Sequence, residues 1–363
     1  MPGQMLAAMF YAPGDVRLEE RPIPEPGPGE LVLQIAAATT CGTDVKTYVR
    51  GHPLLFKHPP AGFGHEAAGI VAAVGPGVQG WKEGDAVVAA NSAPCDRCFY
   101  CRRGRYSLCE DLLLLNGAYA EYLLVPARIV QRNLYRLPQG LSFTAAALTE
   151  PLACALHGVE ESEIQPGDTV LIIGAGPLGL LLAAAARLRG ARVLVSGHGE
   201  QRLALARHFG AEQVFETGSL SSEEQCALLR AATPEGRGAD VVIEAVGTPE
   251  TWELAASLVR RGGLVNFFGG CASGTHISLE TRPLHYDELT LKGVFHHTPT
   301  YFARALELIA SRQIPVEALI TARFPLTEAV TALHLLLQKQ GVKYALIPPA
   351  FARDLPRRAD PGE

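Results

Sequence analysis

The sequence lacks a strong excess of charge of either sign, and it lacks a long uninterrupted apolar run. Its 363 residues carry a formal net charge of -5, with a pI of about 6.1. This balance gives no indication of a nucleic-acid partner or a membrane surface. The most apolar stretch, residues 171–186, is interrupted by glycines and a proline and is too short for a convincing membrane span.

A secretory signal is also missing, because residues 1–10 contain neither a basic segment nor a long apolar one. We therefore expect a cytoplasmic protein. In a reducing compartment the eight cysteines serve as metal ligands or buried small side chains more readily than as disulfides. The length predicts about two domains, and 48% hydrophobic with 19% charged residues indicates a globular chain with a large core.

Four cysteines stand close together in the first third of the chain. Their spacing is Cys95-x2-Cys98-x2-Cys101-x7-Cys109. Four thiolates so placed can close a tetrahedral shell around one structural Zn²⁺. A pair of disulfides is disfavoured by the expected compartment. An iron–sulfur cluster of the bacterial ferredoxin type has three residues before its fourth cysteine and a proline after it, unlike this run.

Further donors for a second metal are scattered along the chain. Cys41 follows a predicted strand at residues 31–38, and Thr43 offers a hydroxyl and a predicted cap for a helix over residues 42–50. His65 and Glu66 are adjacent, and both side chains are acceptable to Zn²⁺. Glu150 lies in an apolar segment, where a carboxylate needs a partner or a metal. Taken singly, Cys41 and His65 could equally be buried side chains without a ligand.

A glycine-rich turn follows a predicted strand at residues 168–173 and precedes a predicted helix at residues 180–189. This is the context in which such a turn holds a pyrophosphate on a helix N-terminus. The predicted cofactor-binding residues of this turn are Gly174, Gly176, Pro177, Leu178 and Gly179.

The next predicted strand ends at Gly197, where NAD-binding units commonly carry an acid for the ribose 2′-hydroxyl. Without that acid, His198 and Arg202 are candidates to receive the 2′-phosphate of NADP. NADP is therefore slightly favoured, although Gly197 could also be a simple turn residue in an NAD-binding unit.

Short strands with Gly and Pro between them dominate up to about residue 135, which indicates a small β unit. From residue 168 to 268 strands and helices alternate, which predicts a doubly wound parallel sheet. The predicted fold class is therefore α/β plus β. A kink is expected near Glu150, because Pro151 removes a backbone donor.

These motifs together resemble the zinc-dependent medium-chain dehydrogenase/reductase family over nearly the whole chain. The segment Gly64-His65-Glu66-x2-Gly69-x5-Gly75-x2-Val78 is similar to the family's zinc signature, and Cys41-Gly42-Thr43-Asp44 is similar to its first ligand segment. The resemblance implies a GroES-like catalytic domain over residues 1–155, completed by residues 291–348. It also implies an inserted Rossmann domain over residues 156–290, leaving a charged tail at 349–363 that we expect to be disordered.

Within the family, Thr149-Glu150-Pro151-Leu152-Ala153 resembles the sorbitol and polyol dehydrogenases. The resemblance implies hydride transfer between a secondary alcohol, a sugar alcohol above all, and the nicotinamide of NAD or NADP. Threonine and other secondary-alcohol dehydrogenases are the alternatives within the family. A zinc-free quinone or enoyl reductase and a non-catalytic nucleotide-binding structural or sensor protein are the remaining alternatives.

The resemblance also implies two zinc ions per chain and a homodimer or homotetramer. Cys41 and His65 are the implied ligands of the catalytic zinc, and Glu66 and Glu150 compete for the remaining place. Thr43 is implied to hydrogen-bond the reacting oxygen. Lys46 stands where many relatives have a histidine that passes the proton to solvent, so that route does not carry over.

Overall fold

The computed structural model describes residues 3–52, 55–56 and 58–352, and they form two compact units. The first unit comprises the described residues of Met1–Glu150, Ile309–Ser311 and Val316–Glu363. The second comprises Pro151–Leu308 and Arg312–Pro315. Within the described ranges, no helix has the length and apolar character needed to cross a membrane.

The regular elements are numbered separately for strands and helices. The strands are β1 Gln4–Ala12, β2 Asp15–Pro22, β3 Leu31–Thr39, β4 Ala61–Gly62, β5 Glu66–Val74, β6 Ala86–Ala89, β7 Ser92–Ala93, β8 Leu113–Leu114, β9 Tyr122–Val125, β10 Leu134–Arg136, β11 Thr169–Ile173, β12 Arg192–Gly197, β13 Gln213–Glu216, β14 Ala239–Glu244, β15 Val259–Phe267, β16 Thr290–Gly293, β17 Ile320–Pro325 and β18 Lys343–Ile347. The α-helices are α1 Gly42–Arg50, α2 Ala127–Arg132, α3 Phe143–Ala147, α4 Thr149–Glu160, α5 Pro177–Leu188, α6 Glu200–His208, α7 Ser222–Ala231, α8 Pro249–Leu258, α9 Thr281–Tyr286, α10 Pro299–Ala310 and α11 Ala329–Leu337.

The first unit is built around β3, which lies at the centre of its main sheet. The strand order is β10-β6-β5-β3-β18-β17, and β9 also pairs with β3. Strand β3 reads Leu-Val-Leu-Gln-Ile-Ala-Ala-Ala-Thr, and all its residues except Gln34 are buried. A strand covered on both sides has this nearly continuous apolar composition. The end of β3 is therefore held between β5 on one side and β18 on the other.

The second unit contains a parallel sheet, which confirms the prediction made from the sequence. Among the described residues its strand order is β13-β12-β11-β14-β15-β16, and each neighbouring pair is parallel. Strand β11 is buried along its whole length, as expected for a central strand with helices on both faces. The strand order changes direction at β11, which places a ligand crevice at the carboxyl ends of β11 and its neighbours.

The extents of the two units differ from the expected domain boundaries. The second unit continues to Leu308 instead of ending at residue 290, and β16, at the expected boundary, pairs with β15 in parallel register, Leu264 opposite Thr290. It also begins at Pro151 instead of residue 156. Of the segment expected to be a disordered tail, Pro349–Phe351 forms a 3₁₀ turn, and residues 353–363 lie outside the described residues.

Candidate active site

Three potential metal ligands come together where two neighbouring strands of the first unit meet. Strand β3 ends at Thr39 and leads into Cys41, and Glu66 at the start of β5 is the register partner of Thr39. One ligand atom from each of Cys41, His65 and Glu66 lies within 4.8 Å of the others. Zn²⁺ binds thiolate, imidazole and carboxylate donors at about 2.0–2.3 Å, so donors this close fit a single ion.

Asp44 fixes the orientation of the His65 ring. Its Oδ1 atom lies 3.2 Å from His65 Nδ1, and its Oδ2 atom accepts hydrogen bonds from the Cys41 N–H at 2.8 Å and from the Tyr119 hydroxyl. Burial opposes the charged imidazolium, but Asp44 and Cys41 together outweigh burial and raise the pKa of His65 well above its usual value. Because Nδ1 faces Asp44, Nε2 is the nitrogen available to a metal.

Glu66 forms a buried ion pair with Lys343, the first residue of β18. Lys343 Nζ lies 2.8 Å from Glu66 Oε1 and 2.6 Å from Oε2, and both side chains are at most 1% exposed. The Thr39 hydroxyl donates to Oε2, and Nζ also donates to the Thr40 carbonyl at 2.5 Å. Burial lowers the pKa of Lys343, but the negative groups around it, Glu66 first among them, together raise it above its usual value. Donors of the protein therefore already engage both Glu66 oxygens.

Glu150, the other carboxylate implied as a ligand, is the second residue of α4 and is buried. Asn91 Nδ2 donates to its Oε1 at 3.1 Å. The chain does not kink at Pro151 as expected, because helix α3 ends at Ala147 and a new helix, α4, begins at Thr149. Pro151 therefore stands in the first turn of α4, where its missing N–H breaks no helical hydrogen bond. Among the described residues, the group formed by Cys41, His65 and Glu66 does not include Glu150.

The first turn of α1 carries Thr43 next to Cys41. Thr43 is not the helix cap, which corrects that prediction. The N-cap is Cys41, whose Sγ accepts the Thr43 N–H at 3.5 Å, while the Asp44 side chain accepts the Cys41 N–H. This reciprocal arrangement is a capping box in which a thiol replaces the usual hydroxyl. The helix thus begins at the metal-ligand candidate itself, and Lys46 lies one turn further along.

The four cysteines of the lobe lie together, with one sulfur from each residue within 4.8 Å of the others. Cys98 Sγ and Cys109 Sγ are 4.0 Å apart, and tetrahedral bonds of about 2.3 Å give a separation of about 3.8 Å. The Cys101 N–H donates to Cys98 Sγ and lowers the pKa of Cys98 to about 6, whereas burial raises the pKa of Cys101 to about 12. Cys95, Cys98, Cys101 and Cys109 form no disulfide, so the lobe fits zinc.

The second unit carries the predicted nucleotide loop between β11 and α5. Gly174 has a φ of +112°, and a side chain on Gly179 would lie 1.8 Å from the Gly174 carbonyl oxygen, so both positions need glycine. Gly176 is the N-cap of α5 and has no side-chain cap, and open space lies beside its Cα. Pro177 then fixes the first helical φ. An open helix N-terminus of this kind fits the pyrophosphate of a dinucleotide.

Gly197 is the last residue of β12, and His198 follows it directly. Arg202 is the third residue of α6. Because β11 and β12 are parallel neighbours, their carboxyl ends place Gly197 and His198 on the same sheet edge as Gly174. The residues predicted to bind the ribose therefore lie beside the glycine loop predicted to bind the pyrophosphate.

Three polar contacts of this site were missed by reasoning from the sequence: Asp44 on His65, Asn91 on Glu150 and Lys343 on Glu66. Lys343 carried a signal, because it opens a strand whose residues are otherwise apolar except for Tyr344. A lysine in such a strand needs a buried partner. For Asn91 no local pattern points to Glu150.

The chain is similar to known proteins in sequence and in structure. Residues 27–138 match the alcohol dehydrogenase GroES-like domain, and residues 177–311 match the zinc-binding dehydrogenase family. Sorbitol dehydrogenase of Bacillus subtilis (strain 168) is 32% identical over 346 residues, which cover 93% of this chain and 95% of that protein. A probable D-xylulose reductase A of Arthroderma otae is 33% identical over 90% of this chain and 93% of its own length.

Among solved structures, a putative zinc-binding dehydrogenase of Sinorhizobium meliloti 1021 bound to NADP has a TM-score of 0.84. It is 32% identical in sequence, and the match covers 95% of this chain and 100% of that chain. The similarity thus extends over both units, and the GroES-like match includes the segments that carry Cys41, His65 and the four-cysteine lobe.

Proposed function

We propose that this chain, which belongs to the zinc-dependent alcohol dehydrogenase family, transfers a hydride between the secondary alcohol carbon of a sugar alcohol and a nicotinamide cofactor. The observation that carries the proposal is the pairing of Cys41 with His65, held in place by Asp44. The substrate class is supported by the relatives named as a sorbitol dehydrogenase and a probable D-xylulose reductase, and by the segment around Glu150.

Two zinc ions per chain are part of the proposal. Cys41 and His65 would hold the first together with a carboxylate, and Cys95, Cys98, Cys101 and Cys109 would hold the second. A zinc ion in the first site supplies a Lewis acid for the alcohol oxygen. The four-cysteine set leaves no open position, so its ion would stabilise the lobe and take no part in the chemistry.

The residues around the first site have distinct roles in this mechanism. Asp44 holds Nδ1 of His65 and so leaves Nε2 for the metal. Lys343 neutralises the buried negative charge of Glu66. Glu66 lies in the group with Cys41 and His65 but is neutralised by Lys343, so we propose Glu150, which Asn91 orients, for the direct carboxylate place, with Glu66 as its competitor. Thr43, beside Cys41, is assigned to accept a hydrogen bond from the substrate hydroxyl at Oγ1 and to relay its proton, releasing its own hydroxyl proton toward solvent as it takes up the substrate's.

For the nicotinamide cofactor we propose NADP, with NAD as the competitor. Support comes from Gly197 at the place of the usual ribose acid, from the nearby His198 and Arg202, and from the relative whose structure contains NADP. The ratio of kcat/KM values for NADP and NAD tests this, and a ratio of about 0.01 or less would reject it.

We further propose a cytoplasmic homo-oligomer. The four cysteines of the lobe, which form no disulfide although their sulfurs lie close together, support a reducing compartment. Large side chains exposed on the second unit, Tyr286 at 73% and Phe295 at 46%, support contact between copies. Light scattering of the purified protein tests the oligomeric state, and fractionation of the source cells tests the compartment.

The deciding experiment is a substrate panel with both cofactors. Sugar alcohols, simple secondary alcohols and threonine are compared by kcat/KM, and the zinc content per chain is measured in the same preparation. We expect the sugar alcohols to lead by about tenfold or more, with about two zinc ions bound. Turnover of none of these alcohols, with zinc in the cysteine lobe only, would favour a non-catalytic nucleotide-binding protein.

A further inference from the structure

A side chain on Gly197 has no room in this fold. A Cβ built there would lie 2.6 Å from Ala175 Cβ and 2.8 Å from the Ala175 backbone nitrogen. Ala175 belongs to the glycine loop, so that loop packs directly against the end of β12. An acid at position 197 would require the loop to move, because contacts below 3 Å are not tolerated in a packed interior. The usual position of the ribose acid is therefore closed by packing.

The neighbouring strand brings a carboxylate to the same place. In the parallel pairing of β12 and β13, Glu216 is the register partner of Gly197, and adjacent strands lie about 4.8 Å apart. Glu216 Oε2 accepts the N–H of Gly199 at 3.0 Å, and Oε1 accepts the N–H of Gly218 at 3.0 Å. The carboxylate is thus anchored against the turn of His198 and Gly199 that follows β12.

We propose that Glu216 is a specificity-determining residue for the cofactor, because it supplies from β13 the negative charge that β12 lacks. Each carboxylate oxygen accepts one of these backbone hydrogen bonds and retains capacity for another, so the group can accept a ribose hydroxyl. The same charge repels a 2′-phosphate and opposes its attraction to His198 and Arg202.

The proposal concerns the ratio of the two cofactor affinities, so it holds whichever cofactor the unaltered chain prefers. It rests on the proposed function only in requiring that the chain bind a nicotinamide dinucleotide. Binding of the reduced cofactors without substrate is therefore the direct test, since it does not depend on turnover.

The experiment is a fluorescence titration of the zinc-loaded enzyme with NADH and with NADPH. In Glu216→Gln we expect the ratio of Kd(NADPH) to Kd(NADH) to fall about tenfold, from the loss of one charge acting on a phosphate at close range. Glu212→Gln is the matched control. It removes the same charge just before β13, where Glu212 pairs with Arg192 at 2.7 Å, and should leave the ratio within about twofold.

Glu216→Asp separates charge from loop geometry, because it keeps the carboxylate and shortens the side chain. We expect its ratio to stay near that of the unaltered chain. An unchanged ratio in Glu216→Gln would overturn the assignment. An equal shift of the ratio in Glu216→Gln and Glu216→Asp would overturn it as well. If the unaltered chain binds neither cofactor, the proposed function fails and this inference fails with it. If both cofactors bind and the ratio does not move, only the inference fails.

Discussion

Replacing Lys343 with methionine is a direct test of how the first unit holds its buried charges. The substitution keeps a long unbranched side chain and removes the ammonium group that lies 2.6 and 2.8 Å from the Glu66 oxygens. The Thr39 hydroxyl would remain as a donor to Glu66. The Glu66 carboxylate would then be left in a fully buried position without its counter-ion.

The size of the effect follows from the burial of the pair. Removing one partner of a buried ion pair typically destabilises a protein by about 3–5 kcal/mol. For domains of 150–250 residues each kcal/mol lowers the Tm by about 2–4 °C, so the transition of the first unit should fall by about 6–20 °C. Glu66→Gln, which leaves the lysine unpaired, should cost a similar amount. In the double variant no charge is left unpaired, so its loss should be about 3 kcal/mol smaller than the sum of the single losses.

The assay is differential scanning calorimetry of all four proteins, with zinc content measured in each to separate this effect from metal loss. Lys292→Met is the matched control. Lys292 pairs with Glu161 at 2.7 Å but is 27% exposed, so its loss should cost about 1 kcal/mol or less. A Tm for Lys343→Met within about 2 °C of the unaltered protein, or losses that simply add in the double variant, would refute the reasoning.

The remaining predictions concern the metal sites. Cys41→Ala or His65→Ala should abolish turnover and leave cofactor binding intact, measured by steady-state rates and NADH titration. Retained activity in zinc-depleted Cys41→Ala would exclude the metal mechanism. Asp44→Asn keeps the size of the side chain but removes its charge, so zinc affinity or kcat should fall about 10–100-fold. Competition with a chelator measures the affinity, and steady-state rates measure kcat. An unchanged affinity and kcat would contradict the orienting role. Cys109→Ser should release one of the two zinc ions and lower the Tm, measured by metal analysis and calorimetry. Its control is Arg103→Ser, which changes an exposed residue of the same lobe. A full complement of two zinc ions in Cys109→Ser would contradict the assignment.

Features that depend on local sequence could be predicted without the structure. The glycine loop is set by a strand, a fixed glycine spacing and a helix within about 20 residues. The cysteine lobe needs only a short segment to bring its four sulfurs together. The parallel sheet follows from the regular alternation of apolar strands and helices.

Features that depend on pairing between distant segments could not be predicted from the residues alone. Lys343 reaches Glu66 across 277 residues of sequence, because β18 pairs with β3. Strand β16 belongs to the second unit because it joins the parallel sheet, and Asn91 meets Glu150 only through the fold of the first unit. Sequence patterns describe each element but do not state which element will be its neighbour.

The pairing of β18 with β3 also has a consequence for synthesis of the chain. The second unit is nearly continuous in sequence and can fold as it leaves the ribosome, whereas the main sheet of the first unit waits for residues 343–347. At about 5–20 residues per second, Glu66 is made roughly 15–55 s before the lysine that neutralises it. Until then the nascent chain carries an unpaired acid beside an uncovered apolar strand. Shielding by a chaperone over this interval would protect the metal-binding half more than the nucleotide-binding half.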